Sequence, residues 1–425
     1  MCADTKNDRI PLGRLRLRGV ALHASRFTLH GFVLLVLSGC TGGPPAGPAA
    51  EPGPAKPAAL AISYAWTDRF VSKRSVLDMQ LVIDVQGAIA RLGKEPMELR
   101  RDAGRKLVAM GSLAINDLLP LIEGADGGAD ADAAGDAAEI VSRIGDLRAV
   151  DPLIRYLDKN PTAAQDALGR MSGKNFGADR RAWETWWADA HPLIERGLAR
   201  FARDVESGNP DRLAKASGEL GSMGGVEAAE VLIPALRNRD RVTLAPVMGA
   251  LVRIGAGAVP PLLGALTEED LVLRRNAIHA LGMIRRAMAI ADPTPREKQL
   301  IESREGALRY AVMPIIRMYP GLDAGGKAVA LQALGGIGDP RAKTFVQEMN
   351  DAETGAVRIA AQQALVQLGD DRPFDEILSA LSSPEPAVRV AARAALKEIA
   401  RRDFGDDPAK WRKWWEEEGK PGLKK

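Results

Sequence analysis

A small residue followed four positions later by a larger aliphatic one recurs along most of this chain: Ala103/Leu107, Ala137/Val141, Ala164/Leu168, Ala216/Leu220, Val247/Leu251, Ala277/Leu281, Ala330/Leu334, Ala361/Leu365 and Ala392/Leu396. Only Val247 departs from alanine. Residues at i and i+4 share one face of a helix. The pattern therefore predicts a repeated helix in which the small residue admits a neighbour and the larger one fills the space beside it. In six of the nine pairs a glycine follows four residues on, at Gly111, Gly145, Gly224, Gly255, Gly338 and Gly369. Five units carry a base three residues before the small position (Arg100, Arg274, Lys327, Arg358, Arg389), an exposed charge beside a buried stripe. The spacing from Val247 to Ala277 is 30 residues, and that from Ala330 through Ala361 to Ala392 is 31. Each unit thus has room for two short helices and two turns.

The turns carry their own signature. Ile144-Gly145-Asp146-Leu147-Arg148-Ala149 recurs as Ile337-Gly338-Asp339-Pro340-Arg341-Ala342. Glycine suits the left-handed position that ends a helix, aspartate caps the next one, and proline fits its first position. The second helices share a proline before an apolar residue: Pro120-Leu121, Pro152-Leu153, Pro234-Ala235, Pro261-Leu262 and Pro314-Ile315. Proline inside a helix costs about 3 kcal/mol, so its recurrence predicts an early bend or a late-starting helix.

Six of the seven tryptophans fall in two matching segments. In the first, Phe176 and Asp179 precede Trp183, Trp186 and Trp187. In the second, Phe404 and Asp407 precede Trp411, Trp414 and Trp415. Each aspartate reads as an N-cap, and the indoles at i, i+3 and i+4 share one face. Such helices suit the covering of a repeat stack. They divide the chain into arrays at residues 60–206 and 207–425. An aromatic platform for sugars is the alternative use of these rings.

Together these features resemble HEAT-like repeats in the short bacterial form also seen in phycobilin lyase-type proteins. The resemblance runs from about Met97 to the C-terminus and departs from the longer period of about 40 residues. It implies an all-α protein, an α-solenoid of HEAT-like helical hairpins in two arrays, each closed by a Trp-rich capping helix. In such families the second helices line the concave side, which puts Arg155, Arg237 and Lys343 there. A segment at residues 75–92 reads as one amphipathic helix covering the N-terminal edge, with Trp66 packed beside it. Residues 284–304 interrupt the sixth unit as an insertion on one rim.

The N-terminus adds an address. Arg14, Arg16, Arg18 and Arg26 precede a short apolar run, and Leu37-Ser38-Gly39-Cys40 resembles the lipobox of bacterial lipoproteins. That resemblance implies a signal peptide at 1–39, a lipid on Cys40, and a place on the periplasmic face of a bacterial membrane. The residue after the cysteine, Thr41 rather than Asp, favours the outer membrane. The run is about half the length a bilayer requires. Residues 40–59 are rich in Pro, Gly and Ala and read as a tether. Loss of the first 39 residues removes six bases and two acids from the 58 and 55 of the whole chain, leaving it near neutral. That balance excludes the electrostatic footprint of nucleic-acid binding.

Aromatic residues make up 4% of the chain and apolar ones 46%, which suits packed helices of Ala and Leu. Candidate chemistry is sparse. His191 and His279 are each without a following Glu, whereas HEAT-like deoxyhypusine hydroxylases carry paired His-Glu dipeptides for iron. Asp126, Asp130, Asp132 and Asp136 form an acidic stretch that lacks the closing glutamate of an EF-hand. The expectation is a non-enzymatic scaffold or adaptor with no cofactor or metal, binding protein partners and reaching the membrane through Cys40. A lyase-like protein handling a cofactor or chromophore is the alternative.

Overall fold

The computed structural model describes residues 63–94, 96–124, 129–286 and 294–422. The signal segment, Cys40, the tether and Asp126 lie outside them. The fold is all-α, and among the described residues there is no strand. Helices α1 (Ala65–Leu77) and α2 (Met79–Ile89) lead into the hairpin of α3 (Met97–Met110) and α4 (Ile115–Glu123). There follow α5 (Ala129–Ile144), α6 (Val150–Tyr156), α7 (Pro161–Ser172) and the long α8 (Arg180–Glu206). The second half begins with α9 (Pro210–Met223), α10 (Gly225–Leu232), α11 (Arg241–Ile254), α12 (Val259–Ala265) and α13 (Leu271–Arg286). It continues through α14 (Pro295–Leu308), α15 (Val312–Met318), α16 (Ala324–Ile337) and α17 (Lys343–Ala352). Helices α18 (Gly355–Gln367), α19 (Phe374–Ser379), α20 (Pro386–Ala400) and α21 (Pro408–Trp414) follow, with a last short turn of helix at Lys420–Gly422.

The small-and-aliphatic grid is the stacking surface. All of its residues from Ala103 to Leu396 are buried. Helix α9 packs on α11, α11 on α13, α13 on α16, α16 on α18 and α18 on α20. The register is set by a glycine just after the grid leucine. A methyl group on Gly221 would lie 2.9 Å from Cα of Ala250, one on Gly282 2.9 Å from Cα of Ala333, and one on Gly335 2.6 Å from Cα of Ala364. Each of those alanines stands three residues after the small position of the next unit, so successive helices meet at the same depth.

The turns follow the expected chemistry. All six grid glycines have positive φ, from 60° at Gly111 to 85° at Gly369. Asp146 accepts the Arg148 N–H, and Asp339 that of Arg341. Each arginine then folds back on the same carboxylate with two side-chain hydrogen bonds. Asp370 and Arg372 repeat the device, which extends the motif to a third turn. Three of the five recurrent prolines are explained by late starts. A 3-10 turn precedes α6, α12 and α15, and Pro152, Pro261 and Pro314 each occupy the third residue of the α-helix. The first four N–H groups of a helix have no internal partner, so the missing donor costs nothing there. Pro120 differs, standing inside α4.

Three features depart from expectation. The segment 75–92 is not one helix: Asp78 ends α1, and its side chain accepts the Gln80 and Leu81 N–H groups to start α2. The insertion does not simply project from a rim, because α14 packs on α3 with Gly306 against Ala109. The hairpins also do more than meet their neighbours in sequence. Helix α1 lies across α12, and Trp66 O sits against Gly264, so close that no side chain could stand there. The cause is apolar surface on both sides: Phe70, Leu77, Leu81 and Val85 of α1 and α2 need cover, and they join a single buried cluster running from Phe70 to Leu365. The stretch Arg241–Ala265 is long and apolar enough to cross a membrane, but it is the hairpin of α11 and α12, turned at Gly255 with φ 72°.

Candidate functional site

The tryptophan segments are built alike. Asp179 accepts the Ala182 N–H and Asp407 the Ala409 N–H, so both act as caps. Phe176 meets Trp183 edge-on at 4.8 Å, and Phe404 meets Trp411 the same way at 4.9 Å. The Trp183 indole donates to Gly177 O at 2.9 Å and the Trp411 indole to Gly405 O at 2.8 Å. Trp183, Trp187, Trp411 and Trp415 are buried, while Trp186 and Trp414 are half-buried. The buried indoles offer no open face for a sugar to stack on. The second copy anchors a C-terminal cluster in which Phe374 stacks on Trp415 at 3.9 Å. The first copy does not end the row of helices: α8 runs on to pack against α9 and α10.

Other expected residues scatter. Arg155 is exposed and pairs with Glu123, and Lys343 is exposed. Arg237 faces Glu268 and Asp270 and lies 5.6 Å over the Trp66 ring, so this part of the second-helix surface is covered by the chain's own N-terminal helix. His279 is exposed, and His191 lies against the Trp187 ring and near Glu195. Asp132 and Asp136 belong to α5 rather than to a loop, and Asp136 is held by Arg100 and the Gly93 N–H. Among the described residues no three His, Cys, Asp or Glu side chains are grouped as metal ligands.

The densest buried chemistry lies where α1 enters the body. Tyr64, at the N-cap of α1, offers no side-chain cap. Glu230 of α10 does so instead, from 164 residues away. Its Oε2 accepts the Trp66 N–H at 3.0 Å, and its Oε1 accepts the Thr67 N–H at 2.8 Å and the Thr67 hydroxyl at 2.6 Å. A carboxyl group at a helix N-terminus answers both the free N–H groups and the dipole. Glu227, one helical turn away, accepts the Tyr64 hydroxyl at 2.8 Å and the Leu147 N–H at 3.1 Å. Arg148 lies 4.2 Å over the Tyr64 ring and pairs with Asp68. Three distant parts of the chain are thereby clasped: the entry to α1, the turn after α5, and α10.

Burial dominates the electrostatics. It pushes the Glu230 carboxyl up to about 7 against the pull of its hydrogen bonds. Burial, then the nearby Asp146 charge, pushes Glu227 up to about 7. Burial and Glu227 together hold the Tyr64 hydroxyl well above its ordinary range. Beside the clasp is a cleft of about 380 Å³. Ser63 and Trp66 form one wall, Leu198, Ala199, Ala202 and Arg203 of α8 another, and Val231 and Pro234 with the two glutamates a third. Glu195 and Glu206 also line it.

Sequence reasoning missed this site, although a signal was present. Helix α10 reads Gly-Val-Glu-Ala-Ala-Glu-Val-Leu, with two carboxylates three residues apart among apolar neighbours. Such groups need partners when buried. The partners were invisible because they lie in residues 64–67 and 147.

No family model matches the chain, and no curated protein matches it either. A crystal structure of an engineered protein aligns with 80% of this chain and 93% of its own, at 17% identity and a TM-score of 0.27. A likeness of that size carries no argument about function.

Proposed function

We propose that this protein is a scaffold or adaptor of the bacterial cell envelope, lipid-anchored through Cys40, that docks protein partners on its helical surface. The observation that carries this reading is the use made of the buried polar groups. Tyr64, Thr67, Asp146, Glu227 and Glu230 are bonded to backbone donors and to one another across the clasp. They hold a shape rather than converge on a reacting atom. The repeated hairpins supply a long, rigid outer surface, the usual working part of such architectures. The test is crosslinking in cells followed by mass spectrometry, with a Cys40→Ala control. Recurrent envelope partners that are lost or scattered in the control support the reading. Recovery of no partner in repeated experiments overturns it.

The cleft favours a second reading, in which the protein handles a cofactor or chromophore. Its volume of about 380 Å³ and its wall of Leu198, Ala199, Ala202, Val231 and Pro234 fall within the range of small-molecule sites. Native mass spectrometry of the purified chain, with its visible absorbance, tests this: a bound small molecule supports it and a clean apo mass counts against it.

A further inference from the structure

Five of the eight large apolar side chains exposed among the described residues fall in one short stretch: Val76, Met79, Ile83, Met97 and Leu99. Val76 lies at the end of α1, Met79 and Ile83 on α2, and Met97 and Leu99 at the start of α3, and Val76 and Ile83 are 69% and 57% exposed. Met79 and Ile83 stand four residues apart on one face of α2. Exposed bases are interleaved with them: Lys73, Arg91, Lys94, Arg101, Arg105 and Lys106. Among the described acids near them, Asp102 pairs with Arg105 and Lys106, whereas Glu98 and Asp84, which accepts only from the neutral Tyr310 and Gln80, keep their charge.

A cleft of about 540 Å³ opens on the same helix, between α3 and α5. Arg100, Arg101, Arg105 and Arg143 line it, with Asp136 and Glu139, over apolar side chains that include Met97 and Ile140. Arg100 is closed on Asp136 by two hydrogen bonds. Arg105 keeps only a 3.3 Å contact to Asp102, and Arg143 only a 3.7 Å contact to Glu139. Arg101 makes no side-chain bond among the described residues. The cleft therefore holds one guanidinium with no carboxylate partner, Arg101, beside two held by single long contacts, Arg105 and Arg143, and such groups can turn to a tetrahedral anion.

We propose that this face docks on an anionic lipid bilayer, the arginine-lined cleft taking a headgroup phosphate while Met79, Ile83, Met97 and Leu99 enter the acyl boundary. Charge complementarity selects the bilayer, since among the described residues Lys73, Arg91, Lys94 and Arg101 have no acid partner, against Asp84 and Glu98. The apolar groups select it over a folded protein. They are few and alternate along the chain with charged residues, which a fluid surface can accommodate, whereas a protein partner needs a continuous dry patch. The proposal does not rest on Cys40, and its test removes that residue.

The experiment is co-sedimentation of the full chain carrying Cys40→Ala with phosphatidylcholine vesicles, with and without phosphatidylglycerol. Binding at least about tenfold stronger to the anionic vesicles, and weakening with salt, is expected. Arg101→Glu with Arg105→Glu, and separately Met79→Ser with Ile83→Ser, should each cut that binding about tenfold at unchanged helicity by circular dichroism. Absence of binding to anionic vesicles overturns the proposal, as does binding that ignores both double variants. Inorganic phosphate binding in the cleft without vesicle binding identifies a soluble-anion site and overturns it too. So does capture of an acidic protein by this face in the absence of vesicle binding.

Discussion

Replacing Glu230 by alanine should release α1 while leaving the stacked helices intact. The substitution removes three hydrogen bonds and strands the Trp66 and Thr67 N–H groups and the Thr67 hydroxyl. Thr67 is fully buried, so water does not replace the lost acceptor. Loss of a cap costs about 0.5–2 kcal/mol, and each stranded buried donor about 1–3 kcal/mol. Relief from burying the carboxyl group offsets part of this, which leaves about 2–4 kcal/mol concentrated in α1. Amide hydrogen exchange read by mass spectrometry over Ala65–Leu77 should then quicken about 30- to 1000-fold, while Ala324–Ile337 keeps its protection. The wild-type clasp should also respond to pH. A carboxyl raised to about 7 when folded favours its neutral form. Its stabilisation is complete below about 4.5 and is lost as pH rises through about 7, an effect of about 3 kcal/mol. The oxygens fit a proton: Oε1 takes both Thr67 donors, and Oε2 takes only the Trp66 N–H. Glu230→Gln should remove about half of the pH response, after correction for intrinsic exchange, the rest coming from Glu227, which is raised to about 7 in the same clasp. Wild-type exchange rates in α1 of Glu230→Ala, or a clasp that tightens towards alkaline pH, would refute the reasoning.

Gly264→Ala places a methyl group against Trp66 O and should cost about 1–3 kcal/mol, with a red shift of Trp66 fluorescence as α1 is pushed off. A blue-shifted or unchanged spectrum in a Trp66-only background would count against that packing. Trp411→Ala empties a fully buried site and should cost about 3–5 kcal/mol, read by denaturant unfolding and confined to the C-terminal cluster around Phe374 and Trp415. Gly338→Ala, at φ 70°, should lower stability by about 1–2 kcal/mol in the same assay, whereas Gly218→Ala, inside α9 with open space around it, should not.

Local features of this fold were legible in the sequence because they depend on near neighbours. The Ala/Leu grid, the Gly-Asp turns and the aspartate caps of the tryptophan helices are set by residues within about one or two helical turns. Asp78 shows the limit of that reading. Its capping role broke a continuous apolar stripe that periodicity alone joined into one helix. The candidate site was not legible, because Glu230 and Glu227 find their partners 164 and 163 residues away. A pair of acids on an apolar helix announces that partners exist, but the folding-back of α1 decides which they are. The same folding-back hid the covering of Arg237, which local pattern placed on an open surface.

The long reach of the Glu230 cap also orders events during biosynthesis. Helix α1 leaves the ribosome well before its docking site, which is completed only after more than 164 further residues have followed. At ordinary elongation rates the interval is about 8–30 s, far longer than a helix or a hairpin needs to form. Throughout it α1 lacks its partners α10 and α12, so the nascent chain presents an apolar segment that chaperones can grip before the body closes around it.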